Sequence, residues 1–128
     1  MRGWLIVSGI CGASGAAMGA AVAHLLRDEA PLRAALLSTA QQYHLWHALA
    51  LGLVALAGWR EPRRSLTLAG WCFLLGILLF SGGLYLQALT GRSIGPLVPV
   101  GGTALILGWL LLAFAGWRSL RPGGAATS

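Results

Sequence analysis

Four uncharged, largely apolar stretches, Gly3–Leu26, Ala34–Trp59, Ser65–Gly91 and Ser93–Trp117, fill almost the whole chain, and every Arg, Asp and Glu lies at or between their ends. A helix rises about 1.5 Å per residue, so about 20 apolar residues cross a hydrocarbon core of about 30 Å, and each stretch is long enough. Backbone polar groups left unpaired in hydrocarbon cost too much for loops or open sheet, which makes helices the expected form. The expected fold is therefore all-α. It is a polytopic membrane protein, a four-transmembrane-helix bundle forming a single domain over 1–120, with helices at about 3–26, 38–59, 65–89 and 97–117. A hydrophobic content of 57% and a mean hydropathy of +0.75 lie well above the range of soluble domains.

The net charge of +6 comes from nine arginines. In a soluble protein it would suggest nucleic acid, but no basic face with interleaved aromatics exists here, so no nucleic-acid partner is expected. These arginines flank membrane spans, where they orient the chain and touch anionic headgroups. Arg2, Arg60, Arg63, Arg64, Arg118 and Arg121 fall on one side; Arg27, Arg33 and Arg92 fall on the other, with Asp28 and Glu29 beside Arg27. The positive-inside rule places both termini in the cytoplasm of a multi-pass protein of the bacterial inner membrane.

Helix 1 carries Ser8, Gly12, Gly15, Gly19 and Ala23 at spacings of three and four, a stripe of small residues suited to close helix contact. The partner is expected to be an internal helix, with a second subunit or another membrane protein as the alternative. A signal-peptide reading of the start is disfavoured because the apolar run is broken by glycines and continues to Leu26. Cys11 and Cys72 fall within spans and read as small packing residues.

Pro31 suits the first turn of helix 2, with Asp28 and Glu29 just before it at the favourable dipole end. A helix from Pro31 to Trp59 would exceed the membrane core. Residues 31–37 are therefore expected as an interfacial helical extension, with the span beginning near Ser38–Tyr43. Pro62 ends helix 2 in a tight turn. Ser81-Gly82-Gly83 marks a kink or close packing in helix 3. The run from Pro96 through Pro99, Gly101 and Gly102 predicts an irregular lead-in to helix 4. Trp4, Trp59, Trp71, Trp109 and Trp117 read as interface anchors, and 121–128 as a disordered tail.

No acid lies within a span, which argues against a proton-coupled exporter built on a membrane carboxylate. Among the polar residues there, His24, Gln41, Gln42, Tyr43, His44, His47, Ser81, Tyr85, Gln87 and Thr90 stand out. Under this topology all of them fall in the outer half. Tyr43, His44 and His47 share one face of helix 2, so a polar pocket with His24, Ser81 and Tyr85 is the natural candidate. Several uses stay open. The groups can simply lock helices together, line a pocket for a small ligand or lipid, or ligate a metal or haem; a nucleophilic Ser81 has no orienting acid.

Met18-Gly19-Ala20-Ala21-Val22-Ala23-His24, then Tyr43-His44-Leu45-Trp46-His47-Ala48-Leu49, then Phe80-Ser81-Gly82-Gly83-Leu84-Tyr85, with Pro99-Val100-Gly101-Gly102 and Gly108-Trp109, follow one another along nearly the whole chain. In these blocks the chain resembles the YgdD-like family of small inner-membrane proteins, a bacterial domain of unknown function with transmembrane relatives in animals. The resemblance implies a four-helix membrane protein and marks His24, Tyr43, His47, Ser81, Tyr85, Pro99, Gly101 and Gly102 as recurring positions. His44 looks particular to this chain, and Gln42 stands where relatives can carry an acid. No activity comes with the resemblance.

The resulting expectation is a non-enzymatic structural or regulatory membrane component. No cofactor, no metal site and no catalytic residue are expected; the polar candidates are His24, Tyr43, His47, Ser81 and Tyr85, and the packing candidates are Gly12, Gly15, Gly19, Gly82, Pro99, Gly101 and Gly102. A ligand, lipid, metal or haem binder is the alternative, and a transporter working as an oligomer the third reading. The lipid bilayer is the expected partner, with a membrane protein or a second copy beside it.

Overall fold

The structure, a computed structural model, describes residues 1–25, 27 and 30–120. The expectations for Asp28 and Glu29 before helix 2, and for the tail at 121–128, lie outside the described residues. The fold is all-α: α1 is Arg2–Leu25, α2 is Pro31–Arg60, α3 is Arg64–Thr90 and α4 is Leu97–Leu120.

Local chemistry sets the ends of these helices. Pro31 occupies the first turn of α2, where its missing N–H costs nothing, and Ala34 N–H donates to the Ala30 carbonyl at 3.0 Å. Glu61 turns to extended backbone and Pro62 follows, so α2 stops at Arg60. At the other end of α3, Gly91 takes the left-handed conformation (φ 72°) that a side chain would resist, and its N–H caps the Gln87 carbonyl at 2.8 Å.

Nothing between Pro31 and Arg60 breaks a helix, so residues 31–37 extend a continuous 30-residue α2. Two expectations change here. Helix α4 is already helical at Leu97, because Pro99 lies in its first turn and its ring needs no hydrogen-bond partner there; Pro99 itself is exposed, with its carbonyl accepting from the Thr103 hydroxyl at 3.0 Å. In α3 the irregularity precedes the expected Ser81-Gly82-Gly83 step: Ile77–Ser81 forms a π-helical turn between α-helical Arg64–Gly76 and Gly82–Thr90.

The helices pack antiparallel in chain order, α1 against α2, α2 against α3 and α3 against α4, with Trp4 of α1 also lying on Gly70 of α3 and Trp109 of α4 bonded to His47 of α2. Along the first seam, Met1 covers Gly58, Ser8 meets Gly52 and donates to the Ala48 carbonyl at 2.8 Å, Leu45 lies on Gly15, and Gln41 lies on Gly19. Helix α2 thus runs beside α1 over nearly all of α1's length. Along the last seam, Phe73 lies on Gly108, the backbone of Leu79 and Phe80 on Gly101, and Val98 with Ile94 on Gly83. Moving an apolar side chain from lipid to protein gains little hydrophobic energy, so close backbone approach and dispersion contacts have to hold such seams together.

The glycines do not all contribute. A methyl at Gly101 would come within 2.5 Å of the Phe80 amide nitrogen, and one at Gly15 or Gly19 within 2.8 or 2.9 Å of the Leu45 or Gln41 side chain. Gly102 faces the Phe80 ring at ordinary contact distance. Gly12 and Gly82 depart from the packing role expected of them. Gly12 has nothing within 4 Å of where a methyl would stand, and Gly82 meets only the Ile77 carbonyl at 3.8 Å. Gly12 sits on the small-residue stripe of α1 and Gly82 in the Ser81-Gly82-Gly83 step of α3, but both point past the neighbouring helix.

Three helices, α1, α3 and α4, are long and apolar enough to cross a membrane. The protein covers only 17% of the best apolar window in α1 and α4, against 39% in α3, so the first and last helices present most of their apolar surface outward. Helix α2 is less apolar, yet its Leu37, Ala40, Ala50, Leu51, Val54 and Ala55 are fully enclosed. Being flanked by α1 and α3 lets it carry Gln, Tyr and His that an outward face would expel.

Candidate functional site

Both buried histidines lie near the midpoint of α2. The chemistry of their partners fixes their protonation. His47 Nδ1 stands 2.7 Å from the Tyr43 carbonyl, which can only accept, so Nδ1 carries the hydrogen. Trp109 Nε1–H, which can only donate, points at His47 Nε2 across 3.1 Å, so Nε2 supplies a lone pair. His47 is thus the neutral Nδ1–H tautomer, joining α2 to α4.

His44 holds the complementary arrangement. The Ser14 hydroxyl stands 3.1 Å from the Cys11 carbonyl and 3.2 Å from His44 Nε2; when it donates to the carbonyl, it accepts from Nε2–H. His44 Nδ1 then accepts from the Tyr85 hydroxyl at 3.3 Å. One orientation satisfies every link from α3 through α2 to α1. Fully used ring nitrogens leave neither histidine a lone pair for a metal unless Trp109 or Tyr85 is displaced. Among the described residues no three His, Cys, Asp or Glu side chains gather at metal-binding range, and Cys11 and Cys72 are free thiols.

The expected single pocket resolves into two grooves. One, of about 640 Å³, lies between α2 and α4 and is lined by Tyr43, Trp46, His47, Phe80, Leu105 and Trp109 among others. Within it Tyr43 stacks on His47 at 5.7 Å and packs on Phe80 at 4.7 Å, while the buried Phe73 behind it meets Trp109 edge-on at 5.2 Å. The second, of about 420 Å³, lies between α1 and α3 and contains Ser14, His44 and Tyr85. Ser81 is fully buried, and its hydroxyl finds no hydrogen-bond partner among the described residues.

His24 departs from the expected pocket: it is exposed near the end of α1, remote in register from both grooves. Because α2 is one helix from Pro31, His44 and His47 stand at mid-height, level with Ser14 near the middle of α1 and Trp109 near the middle of α4. Ser14 lies off the small-residue stripe and is not among the sequence candidates, and Trp109 departs from the interface-anchor role expected of it. Its position deep in helix 4, well away from any arginine, was the available signal.

Comparison with known proteins places this architecture in a family. Residues 18–102 match the family described as Protein of unknown function (DUF423). The UPF0382 membrane protein YwdK of Bacillus subtilis is 37% identical over 94% of this chain and 100% of its own length. A UPF0382 membrane protein of Haemophilus influenzae is 33% identical over 85% of this chain and 86% of its own. The UPF0382 inner membrane protein YgdD of Escherichia coli is 32% identical over 95% of each. No solved structure matches the chain. With a family match across both histidine blocks and relatives covered end to end, the chain belongs to the DUF423 family and is an integral membrane protein.

Proposed function

We propose that this chain is a four-span protein of the bacterial inner membrane with both termini in the cytoplasm, acting without catalysis as a small structural or regulatory membrane component. The saturated ring nitrogens of His44 and His47 carry this reading. Each imidazole is committed to holding α2 against its neighbours, and neither presents a free base or ligand. The fourth span is supported by the seam on which α2 follows α1 from Gly58 at Met1 to Gln41 at Gly19; a helix antiparallel to a span over that length crosses with it. Four antiparallel helices return the chain to the side where it began. Five arginines, Arg2, Arg60, Arg63, Arg64 and Arg118, stand at that end against Arg27, Arg33 and Arg92 at the other, which supports a cytoplasmic assignment. The bare outer faces of α1 and α4 meet lipid, a membrane partner or a second copy.

Reporter fusions test the topology. A fluorescent protein fused after Leu120 is expected to mature, and alkaline phosphatase inserted at Gly91 to be active. Active phosphatase after Leu120 would overturn the orientation. A second reading, a binder of a flat apolar ligand, is favoured by the roughly 640 Å³ groove beside Tyr43 and Trp109. Absorbance spectra and metal analysis of the purified native protein decide between the two: stoichiometric haem, metal or quinone that disappears in His47→Ala sinks the purely structural account.

A further inference from the structure

At the arginine-rich end, α3 and α4 part to leave a cleft of about 590 Å³. Arg64, Ser65 and Arg118 line one part of it, while Leu68, Leu111 and Phe114 continue it toward the middle of the bundle. The order along each helix is the same: a charge at the helix end, then an apolar side chain one turn deeper. Arg64 precedes Leu68 on α3, and Arg118 precedes Phe114 and Leu111 on α4. Arg63, also on the rim, is already committed; it pairs with Glu61 and donates to the Ala115 carbonyl at 3.3 Å, tying the start of α3 to the end of α4. The Arg118 guanidinium lies 5.6 Å from the centre of the Phe114 ring, which holds it over the cleft without neutralising it.

From this arrangement we infer that the α3–α4 cleft is a discrete site for an anionic two-chain phospholipid. Its phosphate lies between Arg64 and Arg118 with the Ser65 hydroxyl in reach, and an acyl chain follows the wall of Leu68, Leu111 and Phe114. Charge selects the occupant. Five arginines at this end face one carboxylate, Glu61, among the described residues, so an anion is attracted and a neutral or cationic headgroup gains nothing. The gradient from guanidinium to aliphatic wall within one or two turns matches a phospholipid and not a free phosphate, which would leave the apolar part unused. The adjoining cavity of about 280 Å³ between α2 and α4 carries Glu61 beside Arg60 and Arg63, with Arg63 already paired to Glu61, so it offers an anion less net charge. This inference rests on the reading of this end as a membrane interface.

Native mass spectrometry of the full chain in detergent tests it, with phosphatidylglycerol, phosphatidylethanolamine or inorganic phosphate added in separate arms. Preferential retention of one phosphatidylglycerol is expected. The double variant Arg64→Gln with Arg118→Gln should lose at least about tenfold of it, since each arginine beside an anionic headgroup contributes about fivefold. Arg92→Gln, at the opposite end, should leave retention unchanged. Leu68→Trp fills the exposed apolar wall without altering charge, and is expected to weaken phosphatidylglycerol alone while the thermal midpoint holds. Equal retention of phosphatidylethanolamine, equal loss in Arg92→Gln, undiminished binding in Leu68→Trp, or competition by millimolar phosphate would each overturn the site. Because retention is read in detergent, its failure leaves the orientation of the chain untouched; the reporter fusions read that separately.

Discussion

Gly101→Ala is expected to lower the thermal midpoint of the detergent-solubilised protein, and Gly101→Leu to prevent folded protein from accumulating. The added methyl of Ala would stand 2.5 Å from the Phe80 amide nitrogen and 2.9 Å from the Leu79 carbonyl carbon. Those are backbone atoms within the π-helical turn Ile77–Ser81, so no rotamer change relieves the overlap. Helices α3 and α4 would have to separate, loosening the Leu105 contact on Gly76 and the Phe73 contact on Gly108. Overpacking of this kind costs about 1–3 kcal/mol, with the upper end expected where backbone meets backbone. Gly12→Ala provides the matched control. It adds the same methyl into open space, and a helical Gly→Ala change there leaves stability unchanged or raises it by up to about 1 kcal/mol. Fluorescence-detected melting of the two variants separates them, and a Gly101→Ala protein as stable as the parent would show that the α3–α4 seam is not formed this way.

Much of this fold is legible in the chain because the bilayer demands long apolar helices and pushes arginines to their ends. The limits of that reading are equally physical. Hydropathy ranks α2 below its neighbours, although it is the helix with the most enclosed positions; polar residues tolerated where α1, α3 and α4 cover it lower its average. Spacing identifies the small-residue stripe of α1, but a stripe does not say which of its glycines meets a neighbour. Gly15 and Gly19 do and Gly12 does not, a difference set by how the helices cross. Tyr43, His47, Ser81 and Tyr85 stood out as polar groups in apolar surroundings. Their division between two grooves depends on partners 30 to 62 positions away, Ser14 for His44 and Trp109 for His47, and local pattern carries no information on contacts at that range. His44, set aside as particular to this chain, turned out to be the link between Tyr85 and Ser14. The π turn was visible only as a glycine pair, one residue beyond where the irregular geometry ends.

His47→Ala is expected to destabilise the protein by about 2–4 kcal/mol, through the space left between Tyr43, Phe73 and Trp109 and through two lost hydrogen bonds. Size and bonding have to be separated, because a cavity alone could account for much of that loss. Trp109→Phe removes the indole donor and keeps most of the ring, so it isolates the Trp109–His47 bond; interhelical bonds in membranes contribute about 0.6 kcal/mol on average and up to about 1.7. The expected loss for Trp109→Phe lies in that range, and in the His47→Ala background the same change should cost less by a comparable amount, since its partner is already gone. A double-mutant cycle in unfolding free energy reads this coupling directly. Its sign also tests the tautomer: with His47 Nε2 as the acceptor, the indole N–H loses its partner once the imidazole is removed, whereas an imidazole donating from both nitrogens would repel that N–H and give no favourable coupling. His24→Ala, at an exposed position outside both grooves, should change stability by no more than about 0.5 kcal/mol. A His24 effect as large as that of His47 would mean that the end of α1 takes part in holding the helices, and would reopen the single-pocket arrangement that the two grooves replace.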